Sequence, residues 1–255
     1  MSSNSTISVI TVCFNSEAHI ADTLQSIDMQ TFQDREHIVI DGESTDRTLR
    51  VVDQHRRSWR RVISEPDRGI YDAMNKGISL ARGDVIGFLN SDDFFADEYV
   101  LARVATAFLD SSVSAVYGDL EYVSKDDSAK VLRQWVSGNF SHAALERGWM
   151  PPHPTLYVRR EAYTRLGGFN TTYQIAADYE YILRLFTDRT LVTAYLPQVM
   201  VKMRAGGASN RSLKNILRKT REDYRAMRAH RVGGLWTLLW KNLSKLPQFF
   251  TRRPD

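Results

Sequence analysis

A single cysteine in 255 residues, Cys13, lies in an apolar run without a partner, so the chain holds neither a disulfide framework nor a thiolate metal site. Such usage fits a reducing cytosol. No window approaches the roughly 20 consecutive apolar residues that a membrane span requires. Met1 to Thr6 lack the basic flank and long apolar core of a signal peptide, and the expectation is a chain neither secreted nor membrane-spanning. The first strand is not followed by G-x-G-x-x-G or by G-x-x-x-x-G-K-[ST], which removes support for the usual dinucleotide fold and for a phosphate-cradling loop. There is no solenoid repeat and no low-complexity linker. With 43% hydrophobic and 25% charged residues, the composition is that of an ordinary soluble globular protein with one generous domain, or one domain and an appendage.

The net charge of +4 conceals a split. From Lys202 onward, 14 Lys and Arg face only Glu222, Asp223 and Asp255, so this end carries +11 and residues 1–201 carry −7. An anionic partner at one end is implied, either a membrane surface or a nucleic acid.

Periodicity gives the fold class. Ile7 to Cys13 is short and β-branched, and a helical pattern through Ile20, Leu24 and Ile27 comes after it. His37 to Gly42 leads into a helix with Leu49, Val51 and Val52, Arg61 to Ser64 into a helix from Ile70 to Ala81, and Val85 to Leu89 into an acidic turn. Four βα units in about ninety residues predict an α/β protein with a mainly parallel, doubly wound sheet. Val113 to Val123 and Ala129 to Val136 read as strands that extend the sheet into a mixed region framing an acceptor.

Each early strand ends in polar residues: Asn15, Asp41, then Glu65 and Asp67, and finally Asn90 to Asp93. Ligands of open α/β sheets bind outside the carboxyl ends of the strands. Adjacent carboxylates such as Asp92 and Asp93 repel unless a cation or proton lies between them, and oxygen ligands suit Mg²⁺ or Mn²⁺ completed by substrate phosphates. The competing reading is a cap, with Ser91 or Asp92 opening a helix near Ala96. Asp41 before Gly42 likewise has a turn-residue alternative.

The segments Thr11-Val12-x-x-Asn15, Ile40-Asp41-Gly42-x-Ser44-Thr45-Asp46-x-Thr48, Ser64-Glu65-Pro66-Asp67-Arg68-Gly69-Ile70-Tyr71-Asp72-Ala73-Met74-Asn75-Lys76-Gly77 and Leu89-Asn90-Ser91-Asp92-Asp93 closely resemble the inverting family 2 glycosyltransferases of GT-A fold. The similarity is sharpest to bacterial enzymes of exopolysaccharide assembly, such as those of colanic acid clusters. It covers about the first 210 residues.

The resemblance implies a donor site of Thr11, Asn15, Asp41, Glu65, Arg68, Asp72, Lys76, Asn90 and Asp92. Asp41 would take the base or ribose of a nucleotide sugar, with Asn15 and the Thr11 backbone lining its pocket. Glu65, Arg68, Asp72 and Lys76 would form the sugar and diphosphate group, although Asp72 and Lys76 are also spaced as an ordinary i,i+4 surface pair. The family's D-x-D begins here with Asn90, so contacts to Mn²⁺ or Mg²⁺ fall on Asp92 and Asp93. Asp178 resembles the Asp of the E-D-x-E segment that deprotonates the acceptor hydroxyl, with Ala177 in place of the preceding acid; its alternative is a helix N-cap. His153, in the rigid loop Trp149 to Pro154, is either a structural hydrogen-bonder or an acceptor or phosphate contact. Arg204 to Ser209 resembles the loop that closes over the donor.

Residues 1–209 are thus expected to form the catalytic domain, with 1–112 the nucleotide-sugar half and 113–209 the acceptor half. Residues 210–255 read as a basic tail of amphipathic helices, with Trp236, Trp240, Phe249 and Phe250 among basic residues as in an interfacial helix. A core-packing or dimer helix is the alternative. The function expected is metal-dependent transfer of a sugar from a nucleotide diphosphate donor to a lipid-pyrophosphate-linked saccharide, by a cytoplasmic protein peripheral on the inner face of a bacterial membrane. A homodimer is compatible with this. A sugar nucleotidyltransferase would need a Gly-rich, basic loop after its first strand, and a nucleic-acid binder would need a reading motif among its basic residues. This chain has neither.

Overall fold

The computed structural model describes residues 5–206, 213–234 and 236–238. The N-terminal half alternates β1 (Ile7–Cys13), α1 (Ile20–Asp28), β2 (Arg35–Asp41), α2 (Thr48–Gln54), β3 (Arg60–Ser64), α3 (Ile70–Leu80) and β4 (Val85–Phe88). It continues through β5 (Phe94–Phe95), α4 (Val100–Ala107), β6 (Val113–Val123), β7 (Val131–Trp135), α5 (His142–Glu146), a 3₁₀ turn (His153–Thr155), β8 (Tyr157–Arg159), α6 (Arg160–Leu166), α7 (Ala177–Thr187), β9 (Val192–Arg204) and α8 (Leu213–Ala229). One nine-stranded sheet runs in the order β3-β2-β1-β4-β8-β6-β9-β5, with β7 paired to β6. The first four strands are parallel, as the βα periodicity predicts, and β8 joins β4 antiparallel to begin the mixed half.

The seven residues of β1 are all buried, because helices cover both faces of the sheet. Its alternation sends Ile10 and Val12 into one apolar cluster with α3, α6 and α7, and Ile7 and Val9 into another with α4. α1 buries Ile20, Thr23, Leu24 and Ile27, the i, i+3, i+4, i+7 stripe of a helix packed on a sheet. At the join between the halves, Gly87 of β4 lies under the Tyr157 ring, and a Cβ there would come within 2.2 Å of it. Only glycine permits that approach.

Two local expectations shift. The helix expected near Ala96 begins at Val100, because Phe94 and Phe95 instead pair with Lys202 and Val201 of β9. α8 is amphipathic, yet its apolar face is not free: Ala226 and Met227 enter the same cluster as α7, and Tyr224 packs against it. The described part of the segment read as a tail therefore shares the core of residues 1–209. Of the expected closing loop, Arg204 to Ser209, residues 207–209 lie outside the described residues, as do Trp240, Phe249 and Phe250. Among those described, no helix is long and apolar enough to cross a membrane.

Candidate active site

Parallel register brings Cys13, Asp41 and Ser64 level at the mouths of β1, β2 and β3. Asp41 is 0% exposed. One of its oxygens accepts from the Ser44 hydroxyl (2.5 Å) and the Cys13 thiol (3.5 Å), and the other from the Ser44 N–H (3.0 Å) and the Ser64 hydroxyl (2.7 Å). Burial, and then the carboxylate of Asp41, push the Cys13 thiol upward, so it stays protonated and inert. The carboxylate acts as a bolt for the β2–α2 turn, the role foreseen in its turn-residue alternative. Asn15, at φ 49, serves the same turn: its N–H donates to Ser44 Oγ (2.8 Å) and its Oδ1 accepts from Thr45 N–H (2.9 Å).

Thr11 is not brought to this mouth by its side chain. Arg60 Nε donates to His37 Nδ1 (2.8 Å), so the proton of that imidazole lies on Nε2 and is donated to Thr11 Oγ1 (3.0 Å) in the interior. What does face outward is Phe14, 62% exposed beside Gly42. A Cβ on Gly42 would lie 2.5 Å from an Asp67 carboxylate oxygen, so Phe14, Gly42 and Asp67 converge on one opening. An exposed aromatic between a buried strand and Asn15 was the signal for Phe14, and the sequence reading passed over it.

Glu65, Arg68, Asp72 and Lys76 gather on the rim formed by the β3–α3 loop. Lys76 pairs with Glu65 (2.9 Å), and Arg68 with Asp72 (2.9 Å). The Arg68 guanidinium holds the Asp72 carboxyl below its usual range, while Asp72 raises Arg68 in turn. Exposed pairs of this kind contribute little to stability and exchange partners readily.

The acidic turn after β4 splits its two carboxylates. Asp93 is 0% exposed; its oxygens accept from Asn90 Nδ2 (2.8 Å) and the Arg204 N–H (3.3 Å), and burial with Asp92 alongside pushes its carboxyl well above the usual range. Asp92 is half-buried, and its side chain accepts no hydrogen bond from the described residues. Assigning both acids to a metal therefore does not fit: Asp93 is occupied inside the turn and Asp92 is the one free to bind. Arg204, the last residue of β9, fixes the turn by donating to the Asp92 carbonyl (2.8 Å) while its guanidinium pairs with Asp22 of α1. No group of three or more His, Cys, Asp or Glu able to cage a metal occurs among the described residues. One free carboxylate beside Asn90 suits a hard cation that keeps waters and is completed by phosphate.

Asp178 does not cap α7. Ala176 holds that position without a side-chain bond, and Asp178 is half-buried in the first turn. The Tyr71 hydroxyl donates both to Asp178 Oδ1 (3.1 Å) and to the Ile175 carbonyl (2.7 Å). His153 is slotted between Phe88 and Phe169, each 5.4 Å away, and its Nε2 has no partner among the described residues. Burial lowers its pKa, partly offset by Asp178 nearby, so the ring is neutral. Tyr122 of β6 lies under the Arg133 guanidinium at 4.8 Å, and burial raises its phenol. Phe169 packs 5.4 Å from Phe88 at the end of β4 and 5.7 Å from Tyr71, so a run of aromatic contacts links the strand that leads into the acid turn with the hydroxyl that binds Asp178. Tyr71, Tyr122 and Arg204 were not singled out from sequence.

This architecture, a parallel half with an acid turn at a strand mouth continued by a mixed half, is that of the GT-A glycosyltransferases. It aligns with S. aureus TarS 1-349 in complex with UDP-GlcNAc at a TM-score of 0.67 and 20% identity, over 89% of this chain and 66% of that one. With the mannosyltransferase PcManGT from Pyrobaculum calidifontis, in complex with GDP-Man and Mn²⁺, the TM-score is 0.62 at 18% identity, over 95% and 74% of the two chains. The chain spans about two thirds of the TarS chain it matches. Residues 8–181 match the family model of glycosyl transferase family 2, and the chain belongs to that family. A PGL/p-HBAD biosynthesis glycosyltransferase from Mycobacterium bovis (strain BCG / Pasteur 1173P2) is 33% identical over 208 residues, covering 80% of this chain and 78% of its own. Chondroitin synthase from Escherichia coli is 29% identical over 181 residues, 70% of this chain but 26% of that protein.

Proposed function

We propose that the chain transfers a sugar, with inversion, from a nucleotide diphosphate donor to a hydroxyl of a lipid-linked saccharide on an anionic membrane surface. The observation that supports this reading is the acid turn in which Asp92 has no side-chain partner among the described residues, together with Asp178, held by Tyr71 in the first turn of α7. The nucleobase lies on exposed Phe14 at the β1 mouth, since an aromatic face stacks on any base. Asp41 shapes that mouth by holding the turn. Lys76 and Arg68 give up Glu65 and Asp72 to meet the diphosphate.

Asp178 takes the proton of the acceptor hydroxyl as its oxygen attacks the anomeric carbon from the face opposite the departing diphosphate. The bond from that carbon to the phosphate oxygen breaks with its electron pair leaving on the nucleotide. Tyr71 keeps the Asp178 carboxylate oriented, and neutral His153 lines the acceptor side with its unpartnered nitrogen. Asp92 would hold Mn²⁺ or Mg²⁺, whose contribution when bound is to neutralise charge on the diphosphate. Peripheral attachment is supported by α8 and the residues just after it: Lys214, Arg221, Arg228 and Arg231 are exposed, as are Ile216 and Leu217, and Trp236 is 85% exposed.

Asp178→Asn tests the assignment, since the amide keeps the shape and removes the base. Turnover falls by about 10²-fold or more, while nucleotide affinity and melting temperature hold. Near-normal turnover overturns the reading.

A further inference from the structure

The loop leading into α7 is held by a residue beyond the segment that matches the family model. Glu222, in the middle of α8, is buried. Its carboxylate accepts the backbone N–H of Gln174 (3.0 and 3.1 Å), of Ile175 (2.9 Å) and of Ala176 (3.0 Å). Gln174 and Ile175 precede α7 and Ala176 is its N-cap residue, without a side-chain bond of its own, so the backbone at the entry to α7 is held by a side chain from another helix. A carboxylate is the group best suited to that end of a helix.

Two residues after this cap stands Asp178. The Ile175 peptide is gripped on both sides, by Glu222 at its N–H and by Tyr71 at its carbonyl, and the same Tyr71 hydroxyl reaches Asp178. Further ties run from α8 to the same stretch. Arg225 lies 3.8 Å above the Tyr173 ring and donates to the Thr172 carbonyl (2.9 Å), and Arg218 donates to Gln174 Oε1 (2.5 Å); just past α8, His230 Nε2 meets Glu180 Oε1 of α7 at 2.7 Å.

We propose that Glu222 is a positioning residue for Asp178: by fixing the backbone of 174–176 it sets the orientation of the base, which makes α8 part of the transfer machinery. This rests on the reading of Asp178 as the base. A purely structural cap predicts loss of stability alone. A positioning cap predicts loss of turnover that passes through Asp178, because a small misplacement of a reacting group is costly.

The test uses the full chain and a double-mutant cycle of Glu222→Gln and Asp178→Asn. Turnover is read as hydrolysis of the nucleotide diphosphate sugar that raises the melting temperature most, with water in place of the acceptor. Glu222→Gln should lower kcat about tenfold with KM unchanged within about twofold, and should speed hydrogen exchange at the amides of 174–176. In the Asp178→Asn background the same change should lower kcat no further, whatever it does to melting. Wild-type kcat in Glu222→Gln, with Asp178→Asn inactive, overturns the inference and leaves the base reading intact. So does an equal loss of kcat in both backgrounds. Full turnover in Asp178→Asn overturns the base reading itself, and the inference with it. Should Glu222→Gln not fold, Glu222→Asp, one methylene shorter with the charge kept, carries the same cycle.

Discussion

Asp41→Ala removes the acceptor shared by four donors at the mouth of β2. Two of these donors are serine hydroxyls that can turn elsewhere, and the Cys13 thiol at 3.5 Å is weak, but the Ser44 N–H is fixed in the backbone. A hydrogen bond to a charged group contributes about 1.5–3 kcal/mol net, and a stranded buried donor costs a similar amount, so the loss should total about 3 kcal/mol. In a chain of this size each kcal/mol moves the melting temperature by about 2–4 °C, which predicts a fall of about 6–12 °C for the ligand-free protein. Asp41→Asn keeps a carbonyl for the Ser44 N–H, and its amide can donate to hydroxyls that also accept, so about 1 kcal/mol is expected. Differential scanning fluorimetry without ligand, alongside calorimetric titration with UDP and GDP, reads both effects. A side chain that only contacted the nucleotide would give the reverse pattern, lost affinity with unchanged melting. That pattern, in Asp41→Ala, refutes the role of Asp41 as the bolt of its turn.

Asp92→Asn should abolish the gain in nucleotide affinity that Mn²⁺ gives and leave melting nearly unchanged, whereas Asp93→Asn should cost about 1–3 kcal/mol because its amide faces the Asn90 amide and the Arg204 N–H. Loss of the Mn²⁺ effect confined to Asp93→Asn sinks this division. Burial holds His37 well below the ordinary histidine range, helped by Arg60 and Arg35, and lowers His153 as well. The unfolded chain takes these protons near pH 6.5, so the stability they confer is complete above that pH and is lost as the pH falls toward the folded values. Urea unfolding of Asp93→Asn, which removes the buried acid whose raised titration acts in the opposite direction, should show lower stability at pH 5.5 than at 7.5, and equal stabilities contradict the sign. Leu217→Ser combined with Trp236→Ser should reduce retention on phosphatidylglycerol vesicles, and wild-type retention should fade with added salt. Unaltered binding by the double variant places the membrane contact elsewhere.

Most of the fold was legible because its signals are local. A fully buried strand such as Ile7–Cys13 is a short β-branched run ended by a polar residue, and the stripe on α1 is visible at once. The site was legible as a set of strand mouths. What stayed hidden was decided by partners far along the chain. Asp92 and Asp93 look alike in sequence, and only Arg204, arriving from the end of β9, makes one a structural acid and leaves the other free. The cap alternative for Asp178 stayed open because nothing nearby reveals that Glu222 holds the entry to α7, although Glu222 and Asp223 are the only acids between Lys202 and Pro254. α8 was ambiguous for a different reason: an apolar stripe looks the same whether it meets lipid or a core.

The long reach of Arg204 also gives the molecule an order in time. β1 to β4 can pair as soon as they leave the ribosome, since every partner lies within the first ninety residues. β6 must wait for β9, and the turn carrying Asp92 is not clamped until Arg204 emerges, 111 residues after Asp93. At ordinary rates of synthesis that interval is on the order of ten seconds. During it the parallel half is a scaffold with an unfinished mouth and an exposed apolar strand, the stage at which a nascent chain is most exposed to misassociation and chaperone capture.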